Sequence, residues 1–441
     1  MKTIKGKAGD AKIVLWEHPA FCGKRHIHLK LNKLRLVYQR YLCELFVARN
    51  PSVAFLSCDK DVDAILHQYR NVRMFDPVDK LVEADVVTRF GKSNVDIVET
   101  PMFLMSRSEL IAYHVSKHGK RLRHAPFYKF VRSKIHILEG VKSQDKFNRE
   151  PFKGDTLPPE PYPKYRRTAL HKQCMKNAID WVTSSTQYKN NLGEVDPDYL
   201  LKLPSDTNEA RAWLDKFVND RLGSFGKYQD AIVLGSNFVY HSGLSIPMNY
   251  GLITPGVVVS KIREHFERQG DKTEMNNYEG FVRQVIGWRE YCRLYYVCVP
   301  EKTYNINHFN MPSQTLGTVW YTGKTCMNIV DEAIVDAWKF GYLHHIRRLM
   351  IMSNYMTLCN VHPDQIYRWM YEFSLDSNDV FMVFNCYSMG SYSDGGLATH
   401  KPYISGSGYV KRQGRLKAGR WEDVWTKKYR DFLKRHKVVI R

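Results

Sequence analysis

Residues 279–291 read EGFVRQVIGWREY, and this stretch decides how the carboxyl-terminal half of the chain is interpreted. Phe281 and Val285 lie one turn apart on a helix, on a face that normally packs into a core. Arg283 and Gln284 fall on another face, where they could present polar groups to a ligand. The stretch therefore predicts a buried helix. Whether its polar side meets a ligand or only solvent is left open by the spacing.

Residues 341–350, GYLHHIRRLM, place two adjacent histidines, His344 and His345, in a second helical stretch. Neighbouring positions on a helix point about 100° apart, so the two rings cannot chelate one metal ion from ideal geometry. One ring can pack inward while the other faces a cleft, where an imidazole is able to donate a proton near neutral pH. The alternative is a basic patch exposed to solvent.

Two loops rich in hydroxyls and glycines could hold an anion. FGKYQD at 225–230 is followed by HSGLSIPMNYGLITP at 241–255. Backbone amides near the start of a helix are suited to phosphate groups. A phosphate-bearing cofactor fits this pattern, and on physical grounds alone an ordinary loop explains it as well.

The chain divides into an α/β part and an all-α part. In residues 1–145, short apolar runs alternate with a helical pattern, which predicts a parallel sheet with crossover helices. Residues 146–165 carry four prolines in their last eleven positions and are predicted to be a linker. Long amphipathic stretches in residues 166–441 predict a large helical domain. The expected fold is therefore a Rossmann-like α/β domain followed by a helical domain with a basic tail.

Charge and composition narrow the functional classes. The 441 residues include 66 Lys and Arg against 45 Asp and Glu, a formal net charge of +21. Such a charge points to a polyanionic partner, nucleic acid first, with plain solubility as the alternative. The nine cysteines form no CxxC pair, so we expect neither a disulfide framework nor a metal site. No signal peptide and no run of about 20 apolar residues is evident, which predicts an intracellular soluble protein without membrane contact.

Six segments resemble, in order and approximate spacing, motifs of the cryptochrome/photolyase superfamily. The resemblance is nearest to its bacterial iron–sulfur photolyase-related branch, the prokaryotic (6-4) type. It covers residues 220–412 strongly and also fits residues 146–152, whereas residues 1–145 resemble the family only in pattern. The six segments are FGKYQDA, SGLSIPMNYGLITP, EGFVRQVIGWREY, TGKT, GYLHHIRRLM and YSDGG…THKPY…SGSGYVKR.

The resemblance implies that the helical domain binds FAD and UV-damaged DNA, in a monomeric protein. In this family, light-excited reduced flavin passes an electron to a pyrimidine dimer extruded from the duplex, and the bonds of the dimer then break. The expected function is that of a deoxyribodipyrimidine photolyase. One alternative is a cryptochrome-like receptor that binds FAD without repair, and another is a helical nucleic-acid-binding protein without cofactor. The residues implied for flavin binding are Tyr228, Ser242, Gly243, Leu244, Ser245, Asn249, Arg283, Trp288, Arg289, Asp376 and Asn378.

The lesion is left open between a cyclobutane dimer and a (6-4) product. His344, His345 and Arg348 match the HHxxR motif of (6-4) photolyases, and Gln284 also resembles the (6-4) pattern. Reversal of a (6-4) product moves a hydroxyl group between bases and so requires a proton donor. Splitting a cyclobutane dimer requires only that an electron is injected and returned.

The chain departs from its iron–sulfur relatives near the carboxyl end. Four thiolates hold a [4Fe–4S] cluster, and no cysteine follows SGSGYVKR in this sequence. We therefore expect no iron–sulfur cluster, since Cys326 and Cys386 cannot supply four ligands. A basic tail takes the place of the cluster segment, and the last 41 residues of the chain contain 13 Lys and Arg and 3 acidic residues.

Two further expectations concern electron supply and a second chromophore. The resemblance implies that Trp369, Tyr321 and Trp320 carry electrons, while core packing explains the same aromatic residues. The first strand is followed by WEHPAF instead of the GDQL-like loop of the relatives. The antenna chromophore is therefore left open, as a different molecule or none.

Overall fold

The computed structural model describes residues 12–26, 28–117, 121–154, 156–269 and 274–437. Its first part alternates short strands with helices. The strands are β1 Ile13–Trp16, β2 Val53–Leu56, β3 Val72–Phe75 and β4 Val95–Val98. The helices of this part are α1 Lys33–Arg49, α2 Asp63–Leu66, α3 Lys80–Phe90, α4 Arg107–Ser116 and α5 His124–Lys134.

The strands pair in parallel through helical crossovers, as the apolar runs predict. β1 pairs with β2 across α1, in a register that sets Ile13 opposite Val53. β3 pairs with β4 across α3, with Val72 opposite Val95. The α/β class is thus confirmed, but the single sheet expected from the sequence is divided into two two-stranded sheets.

The second part of the described chain is helical, which confirms the expected all-α character. No helix or strand is described between the 3-10 turn at Asp145–Phe147 and Ala169; Asp155, within the expected linker, lies outside the described residues. The domain boundaries at 145 and 165 stay predictions. The helices are α6 Ala169–Ser184, α7 Pro197–Leu200, α8 Thr207–Asp220, α9 Leu222–Tyr228, α10 Ser245–Asn249, α11 Pro255–Gln269, α12 Met275–Val282, α13 Glu290–Cys298, α14 Glu301–Tyr304, α15 Val319–Thr322, α16 Asn328–Phe340, α17 Asn354–Leu358, α18 Pro363–Phe373, α19 Asp379–Val383, α20 Ser407–Gly414 and α21 Arg420–His436.

Three helical runs contain π-helical turns. The segments are Arg283–Arg289, Arg347–Ser353 and Phe384–Gly390. The π-helix is rare and is frequent at functional sites, where its wider turn redirects the side chains that follow. The first segment lies inside residues 279–291 and the second begins inside residues 341–350, so the irregular backbone and the candidate site residues overlap.

Buried polar contacts join the two parts of the chain. The Asn32 side chain caps α1 and donates to the carbonyl oxygens of Trp338, at 3.0 Å, and Phe373, at 3.3 Å. Arg293 is fully buried, and its Nη2 lies 2.9 Å from Asp76 Oδ2. Buried charges of this kind are expensive unless paired, so each pair fixes the position of one part against the other.

Helix α21 closes the carboxyl-terminal end of the described chain. Trp425 is completely buried, its ring lies 4.9 Å from the ring of Tyr355, and its indole N–H donates to Ser405 O at 3.0 Å. Phe432, two turns later, is also buried. The basic tail expected from the sequence is therefore a packed helix over Arg420–His436; residues 438–441 lie outside the described residues.

We expect Trp425→Ala to lower the free energy of unfolding by about 3–5 kcal/mol, the range for removing a fully buried aromatic side chain. Trp421→Ala is the matched control on the same helix, because Trp421 is partly exposed and its loss leaves a smaller cavity. Urea unfolding midpoints of the two variants measure the difference. Equal losses in both variants would show that Trp425 does not anchor the helix.

Candidate functional site

A buried carboxylate, Asp376, lies at the centre of the candidate site. Arg348 Nη2 lies 2.9 Å from Asp376 Oδ1, and the hydroxyls of Ser374 and Ser245 donate to the same side chain. Burial by itself would raise the pKa of Asp376, but the Arg348 guanidinium and the two hydroxyls outweigh it and lower that pKa. Asp376 is therefore ionised and holds Arg348 in a fixed position.

Asn249, in the last turn of α10, extends this network in two directions. Its side-chain amide donates to Asp376 O at 2.6 Å, and its Oδ1 accepts from Arg289 Nη1 at 2.7 Å. The Asn378 amide lies 3.4 Å from Asn249 O. Six residues implied by the sequence resemblance are thus connected in one network, namely Ser245, Asn249, Arg289, Arg348, Asp376 and Asn378.

Arg289 is a buried cation without a direct ion pair among the described residues, and the carboxyl groups of Glu290 and Asp376 act on its charge only from a distance. Its guanidinium lies over the rings of Phe103, at 4.9 Å, and Phe381, at 4.5 Å, and its Nε donates to a backbone carbonyl. Among the described residues, no carboxylate lies within 4.0 Å of it, and its Nη2 has no hydrogen-bond partner. Burial lowers the pKa of Arg289 to about 10, so the group is still charged at neutral pH. A buried charge of this kind marks a place for an anion.

The turn before α10 is shaped by close packing. Trp213 Nε1 donates to Ser242 O at 2.7 Å, and the Leu244 amide donates to Ser242 Oγ at 3.3 Å. Gly243 has φ +65°, and a Cβ atom there would lie 2.7 Å from the Phe238 ring. Glycine is therefore required at this position, for its backbone conformation and for the lack of space.

The two adjacent histidines face different surroundings, as their 100° rotation predicts. His344 is buried, its ring is stacked on that of His241 with centroids 4.2 Å apart, and neither ring nitrogen has a partner among the described residues. Burial, and then His241 and Arg347, hold the pKa of His344 well below its ordinary value. His345 has 44% of its side chain exposed, and its Nε2 lies 3.9 Å from Asp230 Oδ1.

Asp230, beside His345, is joined by further polar side chains that the sequence did not single out. Asp230 also accepts from the Tyr409 hydroxyl at 3.2 Å and lies 3.7 Å from Arg149 Nε. Gln284, a predicted site residue, is close to Gln229 through their side-chain amides at 3.5 Å. Asp230 is the last residue of the FGKYQD loop quoted from the sequence, and its charge at the end of that loop was the signal that could have identified it as a site residue. These residues form what we call the mouth of the site.

Three predicted flavin residues have other partners. The Tyr228 ring packs 5.1 Å from that of Tyr240 in a small buried cluster. Arg283 Nη1 lies 3.4 Å from Asp145 Oδ1. Trp288 is stacked on His124, with ring centroids 3.8 Å apart. The assignment of these three residues to flavin binding stays a prediction.

The aromatic residues implied in electron transfer are partly in contact. Trp369 is fully buried, and its indole N–H donates to Trp320 O at 2.8 Å. Tyr321 instead lies beside Trp338, with centroids 5.9 Å apart. Contacts of this kind also occur in an ordinary packed core, so an electron route through these residues stays a prediction.

One group of side chains elsewhere has the composition of a metal site. Ligand atoms of Glu17, Cys22 and Cys58 lie within 4.8 Å of one another, and all three residues are buried. Arg40 Nη2 already lies 2.5 Å from Glu17 Oε2, and this charge opposes a second cation. Cys326 and Cys386, the cysteines considered above for a cluster, are not members of the group.

None of the helices in the described ranges combines the length and the apolar character that a bilayer crossing requires.

Sequence comparison finds similarity to photolyase-related proteins. Residues 49–199 match the family model described as deoxyribodipyrimidine photo-lyase-related protein. A (6-4) photolyase from Agrobacterium fabrum is 31% identical over 326 residues, which cover 72% of this chain and 61% of that protein. The chain thus spans less than two thirds of the length of this relative.

Structural comparison finds the same fold in two solved proteins. A bacterial class III photolyase from Agrobacterium tumefaciens superposes with a TM-score of 0.58 at 16% identity, covering 99% of this chain and 94% of the other. A cryptochrome from Synechocystis superposes with a TM-score of 0.59 at 14% identity, covering 96% and 82% of the two chains. The chain therefore has the same fold as these two proteins, and residues 49–199 of its sequence match the photolyase-related family.

Proposed function

We propose that the protein is an FAD-dependent DNA photolyase that repairs UV-induced pyrimidine dimers in blue light. The observation that carries the proposal is Arg289, a buried guanidinium with a free N–H and no carboxylate partner among the described residues. A cofactor that brings phosphate groups would supply the missing negative charge. The (6-4) photolyase relative supports the same function.

The chain's own residues divide the task of holding such a cofactor. Arg289 would bind phosphate, and Asn249 would orient it through the hydrogen bond to Arg289 Nη1. Asp376 keeps Arg348 in place as a fixed cation that stabilises negative charge on a bound ring system. When bound, FAD supplies the light-driven electron that the protein side chains cannot supply.

Arg289→Met should weaken FAD binding about 10- to 100-fold, because a charge-assisted hydrogen bond to phosphate contributes about 1.5–3 kcal/mol. The flavin absorbance retained after gel filtration, and titration of apoprotein with FAD, measure the loss. Arg268→Met is the control, since Arg268 is exposed on α11. If Arg289→Met retains flavin as the wild type does, Arg289 does not hold the phosphates.

His345 is the candidate proton donor at the mouth of the site. Its ring is accessible from solvent, and Asp230 at 3.9 Å can orient it. His344, buried and neutral, is suited to packing under the site instead of delivering a proton. A proton donor is needed only for a (6-4) product, so the accessible His345 favours that lesion as the first substrate to test.

Removing the His345 imidazole should lower (6-4) repair per absorbed photon by about 100-fold or more, the usual contribution of a general acid. The His345→Ala variant is compared with wild type on an oligonucleotide with one (6-4) product, with flavin content as the control for folding. Undiminished (6-4) repair would exclude His345 as the donor. A parallel loss of bound flavin would mean that the substitution disturbs the site as a whole.

The function itself is tested by illuminating the flavin-loaded protein with each lesion separately. We expect blue light, but not darkness, to restore at least one of the two damaged oligonucleotides, as measured by chromatography. A protein that binds fully reduced FAD and restores neither lesion would be a receptor of the cryptochrome kind. A colourless protein that does not bind added flavin would contradict the proposal altogether.

The neutral state of His344 has a measurable consequence for stability. The folded-state pKa of His344 is lowered, whereas the unfolded chain takes up the proton near pH 6.5, so stability falls as the pH drops below 6.5. The loss is about 1.4 kcal/mol per pH unit for this one group. The His344→Phe variant lacks this titrating group. Between pH 7.5 and 5.5 the wild type should therefore lose about 1.4 kcal/mol more of its free energy of unfolding than the variant.

Urea unfolding of both proteins at the two pH values measures this difference. His67→Phe, at an exposed position, is the control and should behave as the wild type does. Parallel losses in the wild type and in His344→Phe would show that His344 is protonated in the folded protein.

A further inference from the structure

The apolar face of helix α21 packs against the interior of the protein. Trp425 packs against Tyr355, and the Phe432 ring lies 5.1 Å from that of Phe309. Both anchoring side chains are buried, to 0% and 1% exposure. The helix therefore has one fixed orientation, and the face opposite these anchors points to solvent.

The opposite face carries a line of cations. Arg420, Lys427 and Lys434 follow one another at intervals of seven residues, so they rotate by only about 20° each and lie roughly 10 Å apart along the helix. All three side chains are exposed, and Trp425 projects about 140° away from Arg420. We call this line the outer cation row, and it lies on the side of α21 opposite the buried Trp425.

The charge of this region is strongly one-sided. Residues 411–437 contain nine exposed Lys and Arg side chains and two exposed acidic side chains. Lys427 forms an exposed pair with Asp431, at 2.6 Å, and such a pair is weak enough to be exchanged for a phosphate. Charged residues that only keep a surface soluble need no particular spacing. The three cations of the outer cation row, by contrast, are evenly spaced along one line.

Helix α20 connects this region to the mouth of the site. Its Tyr409 donates to Asp230, beside His345, and its Ser407 hydroxyl is 2.6 Å from that of Thr426 in α21. An ion pair between Lys411 and Glu422 also joins the two helices. The outer cation row is thus held in a fixed position relative to the mouth of the site.

We propose that the outer cation row binds the phosphate backbone of duplex DNA outside the lesion. The proposal rests on the proposed function only in taking DNA as the partner, not in the repair chemistry. Duplex DNA presents regularly spaced phosphates that a fixed line of cations can neutralise. An anionic membrane is a poorer match, because a helix that binds a bilayer surface inserts its apolar face, and that of α21 is buried.

The test compares two variants of equal charge. In the first, Arg420, Lys427 and Lys434 are replaced by Gln. In the second, three exposed lysines on and after α6, Lys172, Lys176 and Lys189, are replaced by Gln. Binding of each full-length protein to an undamaged 20-base-pair duplex is measured from about 50 to 200 mM salt.

The outer-row variant should bind at least about tenfold more weakly at low salt. Its slope of log affinity against log salt should be shallower by about 2 to 3, one counter-ion for each lost contact. The α6 variant should keep the wild-type slope. The preference for damaged over undamaged duplex should be unchanged in both, since the row lies outside the lesion. Unchanged thermal midpoints would show that the variants are folded.

Each other result is decisive. Equal losses in the two variants, or no loss in the first, overturn the proposal. Binding of the wild type to phosphatidylserine vesicles but not to duplex DNA overturns the choice of partner. A wild type that binds duplex with the expected slopes yet repairs no lesion would leave this surface standing and defeat the photolyase proposal alone.

Discussion

The site depends on a carboxylate that the protein has buried and kept charged. Asp376 gathers side chains from separate parts of the sequence because each of them offsets part of the cost of removing its charge from water. Arg348 comes from a π-helical segment, Ser245 and Asn249 from α10, and Asp376 itself follows α18. Removing any donor would leave the charge less compensated, so these backbone segments are coupled in position.

The two arginines of the site, Arg289 buried and Arg348 half-buried, differ in how their charge is balanced. Arg348 has its counter-charge within the chain, whereas Arg289 has only neutral partners among the described residues. A protein gains nothing in stability from an unpaired buried cation, so Arg289 is explained best by something outside the polypeptide. The neighbouring Asn249 joins the two arginines through its side chain.

The sequence predicted the features that depend on local pattern. The apolar runs of β1 and β2, the amphipathic helix α1 and the helical character of the second part follow from periodicity, and the structure confirms them. Strand β3 was not predicted, because it has only four residues and Arg73 interrupts its apolar pattern. The division into two sheets depends on which strands pair, and the spacing of apolar runs does not determine that.

The site was predicted through a resemblance, and its contacts were not. The motifs identified the six residues around Asp376, but nothing in their spacing states that Asp230 faces His345 or that His241 stacks on His344. Those contacts join positions far apart in sequence. The π-helical turns were missed for a different reason, since over seven residues their period is hard to distinguish from that of an α-helix.

Helix α21 combines two properties, a buried aromatic face and an exposed basic face. Its aromatic side chains complete the interior near Tyr355 and Phe309, and its cations lie on the reverse side of the same five turns. A proteolytic cut before Arg420 would therefore expose the apolar aromatic surface around Tyr355 and Phe309, and it would also remove the positive charge of the helix. The clipped product would self-associate and precipitate instead of surviving as a less basic version of the protein.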